Sequence, residues 1–391
     1  MENRTYDVVV FGATGFTGRL VAEYLANQHG DVAWAMAGRS ADKLAAVRDE
    51  IGAPEDTPLL VADSADAGSL ARLAEQTRAV ITTVGPYQSY GEPLVKACVV
   101  AGTDYVDLCG EPAWMHDIIQ TYDDAAQASG ARIVLSCGFD SIPFDLGVFY
   151  LQQAVIAQTG QPLSRVKGRV RKMKGTFSGG TAASFAQTMA RAAKEPEVIA
   201  RLKDPFSLVP DFEGPKQPSG SKPVYEDDLG SWSAPFIMAS INTKNVHRSN
   251  ALLGHRYGED FVYDEMLLTG PGEQGEAIAN HVAKDRSMAD NPPKPGEGPS
   301  KEEREAGHFD VMFTGEDASG KRHTAIVTGD KDPGYGCTSK MIAESALCLV
   351  QDVDREDTPG GVWTSAPAMG EPLIKRLARD AGMTFSMSPA D

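Results

Sequence analysis

Six short apolar runs, separated by helix-like segments, occupy the first third of the chain and constrain its fold more than any other feature. They read "DVVVFG", "VAWAMAG", "PLLVAD", "AVITTVG", "YVDLCG" and "RIVLSCG". Strands that alternate with helices form right-handed βαβ units, which build a parallel sheet. None of the runs alternates between apolar and polar residues, as is typical of strands covered on both faces. The sequence therefore predicts a doubly wound parallel sheet of the α/β class.

The turn after the first run, "GATGFTG", carries glycines three residues apart at Gly12, Gly15 and Gly18. Glycines in such a turn permit the tight bend, the close approach of a pyrophosphate and the packing of the next helix on the strand. The N-terminus of that helix attracts phosphate. The pattern therefore predicts a dinucleotide site. Its further phosphate-contacting candidates are Thr14, Phe16 and Thr17.

The second run ends in "AGRS", where NAD-binding proteins usually carry Asp or Glu for the ribose hydroxyl. Arg39 stands at that position and Ser40 follows it. A guanidinium suits a phosphate, whereas a carboxylate would repel one. The sequence therefore predicts NADP as the cofactor, and an arginine on a solvated strand end is the alternative.

Two more strand ends are expected to face the same crevice, because ligands bind outside the carboxyl ends of strands in open parallel sheets. Asp63 follows the third run and is predicted to lie near the adenine. The loop after the fourth run is expected beside the nicotinamide ribose, and its residues are Val84, Gly85, Pro86 and Tyr87.

Proton donors are harder to predict, because the chain has neither a YxxxK pair nor a GxSxG elbow. Position alone, at the strand ends, selects Tyr87, Asp140 and Ser141 as catalytic candidates. Tyr87 could instead stack on the ribose, and Asp140 could cap the helix that begins at Ser141 or Ile142.

Three further features each have two open interpretations. Asp107 and Glu111 could transfer protons or orient loops. The stretch "GTFSGGTAAS", residues 175–184, could close on the substrate or cofactor, or simply begin a helix.

Beyond Phe144 the pattern changes to that of an α+β domain. "SRVKGRVRKMKG" alternates like an antiparallel strand, residues 179–202 resemble one long helix interrupted near Pro196, and "HFDVMFTGEDASGKRHTAIVTG" predicts a hairpin. Residues 203–235 and 288–307 are predicted as loops, the latter exposed and mobile. The expected division is a Rossmann-type NADP-binding domain at 1–145, an inserted α+β substrate domain at 146–332, and C-terminal helices at 333–391 that pack back on the first domain.

Composition limits the partners and the compartment. The chain has 37 Lys and Arg against 54 Asp and Glu, a formal charge of −17, which argues against nucleic acid and anionic membranes. Any membrane contact is expected to be peripheral, since no run of about 18 apolar residues occurs. Five cysteines without a CxxC pair predict buried, reduced thiols in a cytoplasmic protein, and the seven histidines lack zinc-type spacing, so no metal is expected.

Several motifs occur in one order along the chain: "GATGFTG", "AGRS", "VGPY", "YVDLCGE", "CGFDSIPFDLG", "GTFSGGTAAS" and "GGVWTSAPAMGEPLIKRL". With these the chain resembles the saccharopine dehydrogenase-like oxidoreductases, and most of all the actinobacterial trans-acting enoyl reductase group. The resemblance implies an NADP-binding domain split by an inserted domain, and reduction of polyketide synthase products during lipid biosynthesis. It also implies an acyl-thioester substrate carried by a synthase. By motif position it implies that the glycines, Arg39 and the "VGPY" loop hold the cofactor.

Three functions remain open at the level of sequence. The first is an NADPH-dependent reductase of an enoyl thioester or a related lipid or polyketide intermediate. The second is a reductase of an amino-acid-derived imine, whose carboxylates would require convergent basic residues such as those between Arg165 and Lys174. The third is an NADP-binding protein without catalysis. The oligomeric state is left open between a monomer and a homodimer.

Overall fold

The structure, a computed structural model, describes residues 4–176, 178–290, 293–294 and 296–388. Its strands are β1 (Tyr6–Phe11), β2 (Trp34–Gly38), β3 (Leu59–Val61), β4 (Thr77–Thr82), β5 (Asp104–Val106), β6 (Arg132–Val134), β7 (Arg165–Lys174), β8 (Val224–Glu226), β9 (Ser231–Pro235), β10 (Val262–Gly270), β11 (His308–Glu316), β12 (Arg322–Gly329), β13 (Gly361–Trp363) and β14 (Met383–Met387).

Helices connect these strands. They are α1 (Phe16–Gln28), α2 (Ala41–Glu50), α3 (Ala67–Gln76), α4 (Tyr87–Tyr90), α5 (Glu92–Ala101), α6 (Pro112–Ser129), α7 (Ile142–Thr159), α8 (Gly179–Ala192), α9 (Pro196–Lys203), α10 (Ala239–Leu252), α11 (Gly272–Val282), α12 (Ser287–Asp290), α13 (Lys301–Glu305), α14 (Thr338–Gln351) and α15 (Ser365–Asp380). A π-helical turn, Pro333–Cys337, precedes α14.

The six predicted strands and a seventh, β13, form one parallel sheet in the order β13-β6-β5-β4-β1-β2-β3. Val8 and Val10 pack with the core on one face, whereas Val9 packs with the core on the other. All three are fully buried, which explains why β1 shows no polar alternation. The prediction of a doubly wound α/β sheet is therefore confirmed.

The second sheet has the order β14-β12-β11-β7-β10-β9-β8. The predicted hairpin is present, since β11 and β12 pair antiparallel from Phe309–Gly329 to Glu316–Arg322. Strand β7 is antiparallel to β11, as expected, but it is parallel to β10. The expectation that β7 is an antiparallel strand is therefore wrong on the side where it pairs with β10. Strand β10 is not predicted from the sequence.

Several sequence predictions are corrected in the second half of the chain. The expected helix over 179–202 is interrupted as anticipated, with α9 beginning at Pro196, whose missing N–H suits the first turn. The expected loop over 203–235 contains β8 and β9, which continue the second sheet. The expected loop over 288–307 includes α13 and ends at β11, and part of it, residues 291, 292 and 295, lies outside the described residues.

The C-terminal segment contributes to both sheets. Helix α14 packs on α1, β4 and β5, and β13 extends the first sheet beside β6. Strand β14, however, pairs antiparallel with β12 in the second sheet, and the sequence analysis does not predict this strand. The division at residues 145 and 332 stays a prediction.

A buried polar cluster joins α1 to the C-terminal helices. The carboxylate of Glu344, fully buried on α14, accepts hydrogen bonds from the Tyr24 hydroxyl at 2.6 Å and from the Arg376 guanidinium at 2.5 Å, and it lies 2.6 Å from His29 Nε2. Because an ionised carboxylate is costly to bury without partners, this cluster holds the C-terminal helices in one position on the first domain. The five cysteines are buried free thiols, as predicted.

Candidate functional site

The turn after β1 forms a cradle with no room for side chains. Gly12 has φ +91°, and a Cβ there would lie 2.7 Å from Val84 Cγ2. A Cβ on Gly18 would overlap the Gly12 carbonyl oxygen, so only glycine lets α1 approach β1 this closely. Gly15 is the N-cap of α1 and has no side chain to cap it, which leaves first-turn N–H groups for a ligand. The cradle therefore fits a pyrophosphate.

The remaining candidates in this turn point in different directions. Thr17 lines a cleft between the domains, whereas the Phe16 ring packs edge-on against Tyr335, with ring centroids 5.2 Å apart. Thr14 is exposed and lies beside the end of β2, where its Oγ1 would be 3.7 Å from a Cβ on Gly38. The turn therefore adjoins the strand end that carries Arg39.

Arg39 is exposed at the carboxyl end of β2, and its guanidinium is joined by no hydrogen bond or ion pair to the residues that the structure describes. Ser40 caps α2 by accepting a hydrogen bond from the Lys43 N–H at 3.4 Å. The Asp63 carboxylate accepts one from the Ala65 N–H at 3.0 Å and thereby shapes the turn after β3. Among these three, Arg39 is the one with a charge available for the 2′-phosphate of NADP.

A cleft of about 440 Å³ lies between the two domains at the carboxyl ends of β4, β5 and β6. Its first-domain wall includes Thr83, Gly85, Tyr87 and Asp140. Opposite them lie apolar side chains of the second domain, which are Met173, Phe185, Met189, Leu202, Phe236, Ile237, Met238 and Ile241. This size and this apolar lining are typical of a small-molecule site.

The loop after β4 is held in place by a carboxylate from the neighbouring strand end. Glu111 is buried, and its two oxygens accept hydrogen bonds from the N–H groups of Tyr87 and Gln88, both at 2.9 Å. These contacts satisfy the first turn of α4, so Glu111 orients the loop of residues 84–87. Asp107 has a similar role, since it accepts from the Ser136 N–H at 2.8 Å and the Cys109 N–H at 3.0 Å. Both carboxylates therefore orient loops, and burial raises the pKa of Asp107 to about 7.

The hydroxyl groups of two catalytic candidates are already engaged. The Tyr87 hydroxyl donates to the Thr82 carbonyl oxygen at 3.2 Å and accepts from the Leu108 N–H at 3.0 Å, and burial raises its pKa well above the usual range. Ser141 is buried outside the cleft lining, where its hydroxyl donates to the Asp140 carbonyl oxygen at 2.5 Å and accepts from Asn245 of α10. The structure therefore does not bring the three candidates together.

Asp140 differs from both. Its side chain lines the cleft, and its carboxylate forms no hydrogen bond with the described residues. The alternative that Asp140 caps α7 is wrong, because Ser141 holds the N-cap position. Burial raises the pKa of Asp140 to about 6, close to the range that suits a proton donor at neutral pH.

The second domain contributes α8 to the wall of the cleft. The role of the stretch that begins this helix is open from the sequence alone. The stretch 175–184, of which Phe177 lies outside the described residues, begins α8, and Ser178, Thr181 and Ser184 line the cleft. Thr188 of the same helix accepts a hydrogen bond from Gln88 of α4 at 3.1 Å. The stretch therefore both begins a helix and faces the cleft.

Other lining residues come from segments that sequence reasoning missed. Phe236, Met238 and Ile241 precede or begin α10, and Tyr335 belongs to the π-helical turn. The concentration of apolar residues in "APFIMASI" was the available signal, but it does not distinguish a cleft wall from a core.

The basic residues of β7 do not reach the cleft. Arg169 is buried against Glu226 at 2.6 Å and Asp264 at 3.0 Å, and Lys167 pairs with Asp228 at 2.9 Å. Arg171 pairs with Asp310 at 2.8 Å. Asp140 is the single charged side chain among the described residues that line the cleft.

Two absences concern the described residues only. No group of three or more His, Cys, Asp or Glu side chains there is arranged to hold a metal ion. Likewise, none of the helices found there has the length and apolar character needed to cross a membrane.

Known proteins share both the sequence and the fold. Residues 8–134 match the family model described as the saccharopine dehydrogenase NADP-binding domain. A Mycobacterium tuberculosis protein that carries the name putative trans-acting enoyl reductase is 40% identical over 401 residues, which cover 96% of each chain. The trans-acting enoyl reductase of Mycobacterium ulcerans is 36% identical over 402 residues, again covering 96% of each chain.

A solved structure agrees at the level of fold. Saccharopine dehydrogenase from Saccharomyces cerevisiae aligns with a TM-score of 0.55 at 13% identity, over 98% of this chain and 100% of its own. The predicted resemblance and the prediction of NADP are thereby confirmed. The chain belongs to the trans-acting enoyl reductase family and is an NADP-dependent oxidoreductase with a Rossmann-type domain and a second domain.

Proposed function

We propose that this protein reduces the carbon–carbon double bond of an enoyl thioester in the cleft between its two domains. The observation that carries the proposal is the lining of the cleft, which is largely apolar and contains one charged side chain among the described residues, Asp140. An acyl chain can fill such a cleft with only the Asp140 carboxyl group left without a partner, and that group is uncharged once it has taken up a proton. The names of the relatives support the same reaction.

The cofactor site is proposed at the cradle of Gly12, Gly15 and Gly18, with Arg39 on the 2′-phosphate. Bound NADPH supplies the hydride for the reduction. Glu111 fixes the loop of residues 84–87, and the apolar wall offers few polar groups that would hold water beside the reacting carbons.

Asp140 is proposed as the proton donor. Reduction of an enoyl thioester requires a proton at the carbon next to the thioester carbonyl, and a carboxyl group whose pKa is raised to about 6 is protonated near neutral pH in a far larger fraction of molecules than a free carboxyl group. Asp140 meets this need because it lines the cleft, its Oδ2 would lie 3.7 Å from a Cβ on Gly110 of the same lining, it has no partner among the described residues, and its pKa is about 6. Tyr87 and Ser141 are less suited, since their hydroxyl groups are engaged.

The other two functions have less support. An amino-acid-derived imine with several carboxylates needs convergent cations, yet Lys167, Arg169 and Arg171 pair with carboxylates away from the cleft. A cofactor-binding protein without catalysis does not need an open cavity beside the loop that contains Gly85 and Tyr87. Reduction of an uncharged, acyl-type substrate therefore fits the site best.

We also propose that the substrate is presented by a synthase, in the cytoplasm. Three apolar residues of the cleft lining are exposed: Met173 is 40%, Met189 51% and Ile237 45% exposed. An acyl group tethered to a carrier can enter through such an opening while the carrier stays outside.

The reaction is tested by stopped-flow NADPH oxidation with a panel of enoyl thioesters of increasing chain length, each offered on coenzyme A and on a carrier domain. Turnover of enoyl thioesters, with no turnover of imines formed from amino-dicarboxylic acids, is expected. Turnover of the imines alone would favour the amino-acid reaction. Failure of both substrate classes, with intact NADPH binding, would leave the non-catalytic function.

A further inference from the structure

The ring of Phe16 connects the phosphate-binding turn to the second domain. Phe16 is the first residue of α1, the helix whose uncapped N-terminus faces the cradle. A Cβ on Gly298 would overlap the ring, so residue 298 sits directly against it. Tyr335 contacts the ring edge-on, and the guanidinium carbon of Arg304 lies 5.7 Å from the ring centroid. Residues from the segment before β11 and from the π-helical turn therefore converge on the first turn of α1.

Two arginines lie over this ring, and among the described residues only one of them forms an ion pair. Arg19, 6.0 Å from the centroid, forms an ion pair with Glu50 at 2.8 Å. Arg304 forms no ion pair with the residues that the structure describes, and its one side-chain hydrogen bond among them runs from Nη1 to the Pro299 carbonyl oxygen at 2.7 Å. Arg304 therefore places a positive charge, with most of its N–H donors available, over the side chain of the first residue of α1. The charge acts to lower the pKa of the Asp332 and Glu302 carboxyl groups, but no carboxylate of the described residues lies within ion-pair distance of it.

The backbone around Arg304 is fixed on both sides. Ser300 and Glu303 form a reciprocal capping box at the start of α13. The Arg304 carbonyl oxygen accepts a hydrogen bond from the Asp332 N–H at 2.9 Å, and Asp332 caps the turn that carries Tyr335. The guanidinium is thus held over Phe16 by a connected set of contacts within the second domain and the turn after it.

We propose that Arg304 is a cofactor-binding residue that contacts the pyrophosphate of NADP from the second domain. The inference rests on the proposed cofactor site at the glycine turn. A diphosphate at the N-terminus of α1 carries negative charge that the glycine turn meets with N–H groups alone. A guanidinium pairs with phosphate oxygens in a planar, bidentate manner, and Arg304 is the nearby arginine that lacks a carboxylate partner among the described residues. Cofactor affinity then depends on the second domain as well as on the first.

The test compares two ligands that differ in the pyrophosphate. Arg304→Gln is expected to weaken NADPH binding about tenfold or more, the loss of a charge-assisted hydrogen bond, while leaving the affinity for adenosine 2′-monophosphate unchanged. Arg304→Lys is expected to retain part of the affinity, because it keeps the charge but not the bidentate geometry. NADPH binding is followed by its fluorescence, and the monophosphate by displacement.

Lys301→Gln is the matched control, since it removes one positive charge from the same short helix, where Lys301 is 69% exposed in its side chain. The control is expected to bind both ligands like the unchanged protein. If Lys301→Gln weakened NADPH binding as much as Arg304→Gln does, the effect would be a long-range electrostatic one and the proposed contact would be wrong. Unchanged NADPH affinity in Arg304→Gln, or equal loss of both ligands in a variant with an unchanged melting temperature, would also overturn it. If the unchanged protein did not bind NADPH, the result would instead contradict the proposed cofactor site itself.

Discussion

Replacement of Asp140 by Asn is expected to stabilise the protein and to slow its reaction. Burial raises the pKa of the carboxyl group from 3.8 to about 6, a difference of roughly two pH units. Each unit corresponds to about 1.4 kcal/mol, so the ionised group costs at most about 3 kcal/mol of folding free energy. Because its side chain borders an open cleft, where water screens the charge, we expect about 1–3 kcal/mol.

The sign follows from proton linkage. The folded protein binds the Asp140 proton more tightly than the unfolded chain does, so stability falls as the pH rises from about 4 to about 6. The asparagine of the variant carries no charge at any of these pH values. The difference in stability between Asp140→Asn and the unchanged protein should therefore be small at pH 4 and reach its full value above pH 6. Other buried carboxyl groups, such as Asp107 and Glu265, are present in both proteins and cancel in the difference.

The assay is urea unfolding at pH 4, 6 and 8 without cofactor, together with a pH profile of turnover. A proton donor with a pKa of about 6 loses activity as the pH rises above 6, whereas Asp140→Asn should be about a hundredfold slower or more and lack that decline. Asp357→Asn, at an exposed position, is the control and should match the unchanged protein in both measurements. A variant at residue 140 that keeps the normal rate, or whose gain in stability is no larger at pH 8 than at pH 4, would refute the reasoning.

Three further predictions concern the cofactor site and the domain contact. Arg39→Ala should weaken NADPH binding about tenfold or more without weakening NADH binding, and an equal loss for both cofactors would contradict the assignment to the 2′-phosphate. Gly18→Ala should abolish NADPH binding measured by fluorescence, because its Cβ would overlap the Gly12 carbonyl oxygen, whereas Gly30→Ala, with open space around the new Cβ, should bind normally. Glu344→Gln should lower the free energy of unfolding by about 2 kcal/mol in thermal or urea unfolding, since it removes one of the two carboxylates that pair with the buried Arg376 guanidinium, the other being Asp352 at 2.5 Å, and a loss below about 1 kcal/mol would argue against this role.

The control for the last variant lies on α15. Glu371 pairs with Lys375 one helical turn away at 2.7 Å, but both side chains are at least 70% exposed. Such surface pairs contribute about 1 kcal/mol or less, so Glu371→Gln should leave unfolding nearly unchanged.

The fold of the first domain and the identity of its cofactor can be predicted from local sequence patterns. Apolar runs such as Val8–Val10 are buried on both faces, and short-range signals of this kind predict parallel strands without knowledge of the tertiary contacts. The glycine turn and Arg39 are equally local, because the requirements of a tight turn and of a phosphate are met within a few consecutive residues. These features were sufficient to predict the α/β fold and NADP.

Which polar side chains at the strand ends are free to act depends on tertiary contacts. Tyr87 and Asp140 are both adjacent to the cleft, but backbone groups from β4 and the turn after β5 engage the Tyr87 hydroxyl, whereas the Asp140 carboxylate has no partner among the described residues. Glu111 orients a loop more than twenty positions earlier in the chain. Contacts of this sequence separation, like that between Arg304 and Phe16, depend on how the two domains meet, and no local pattern encodes that arrangement.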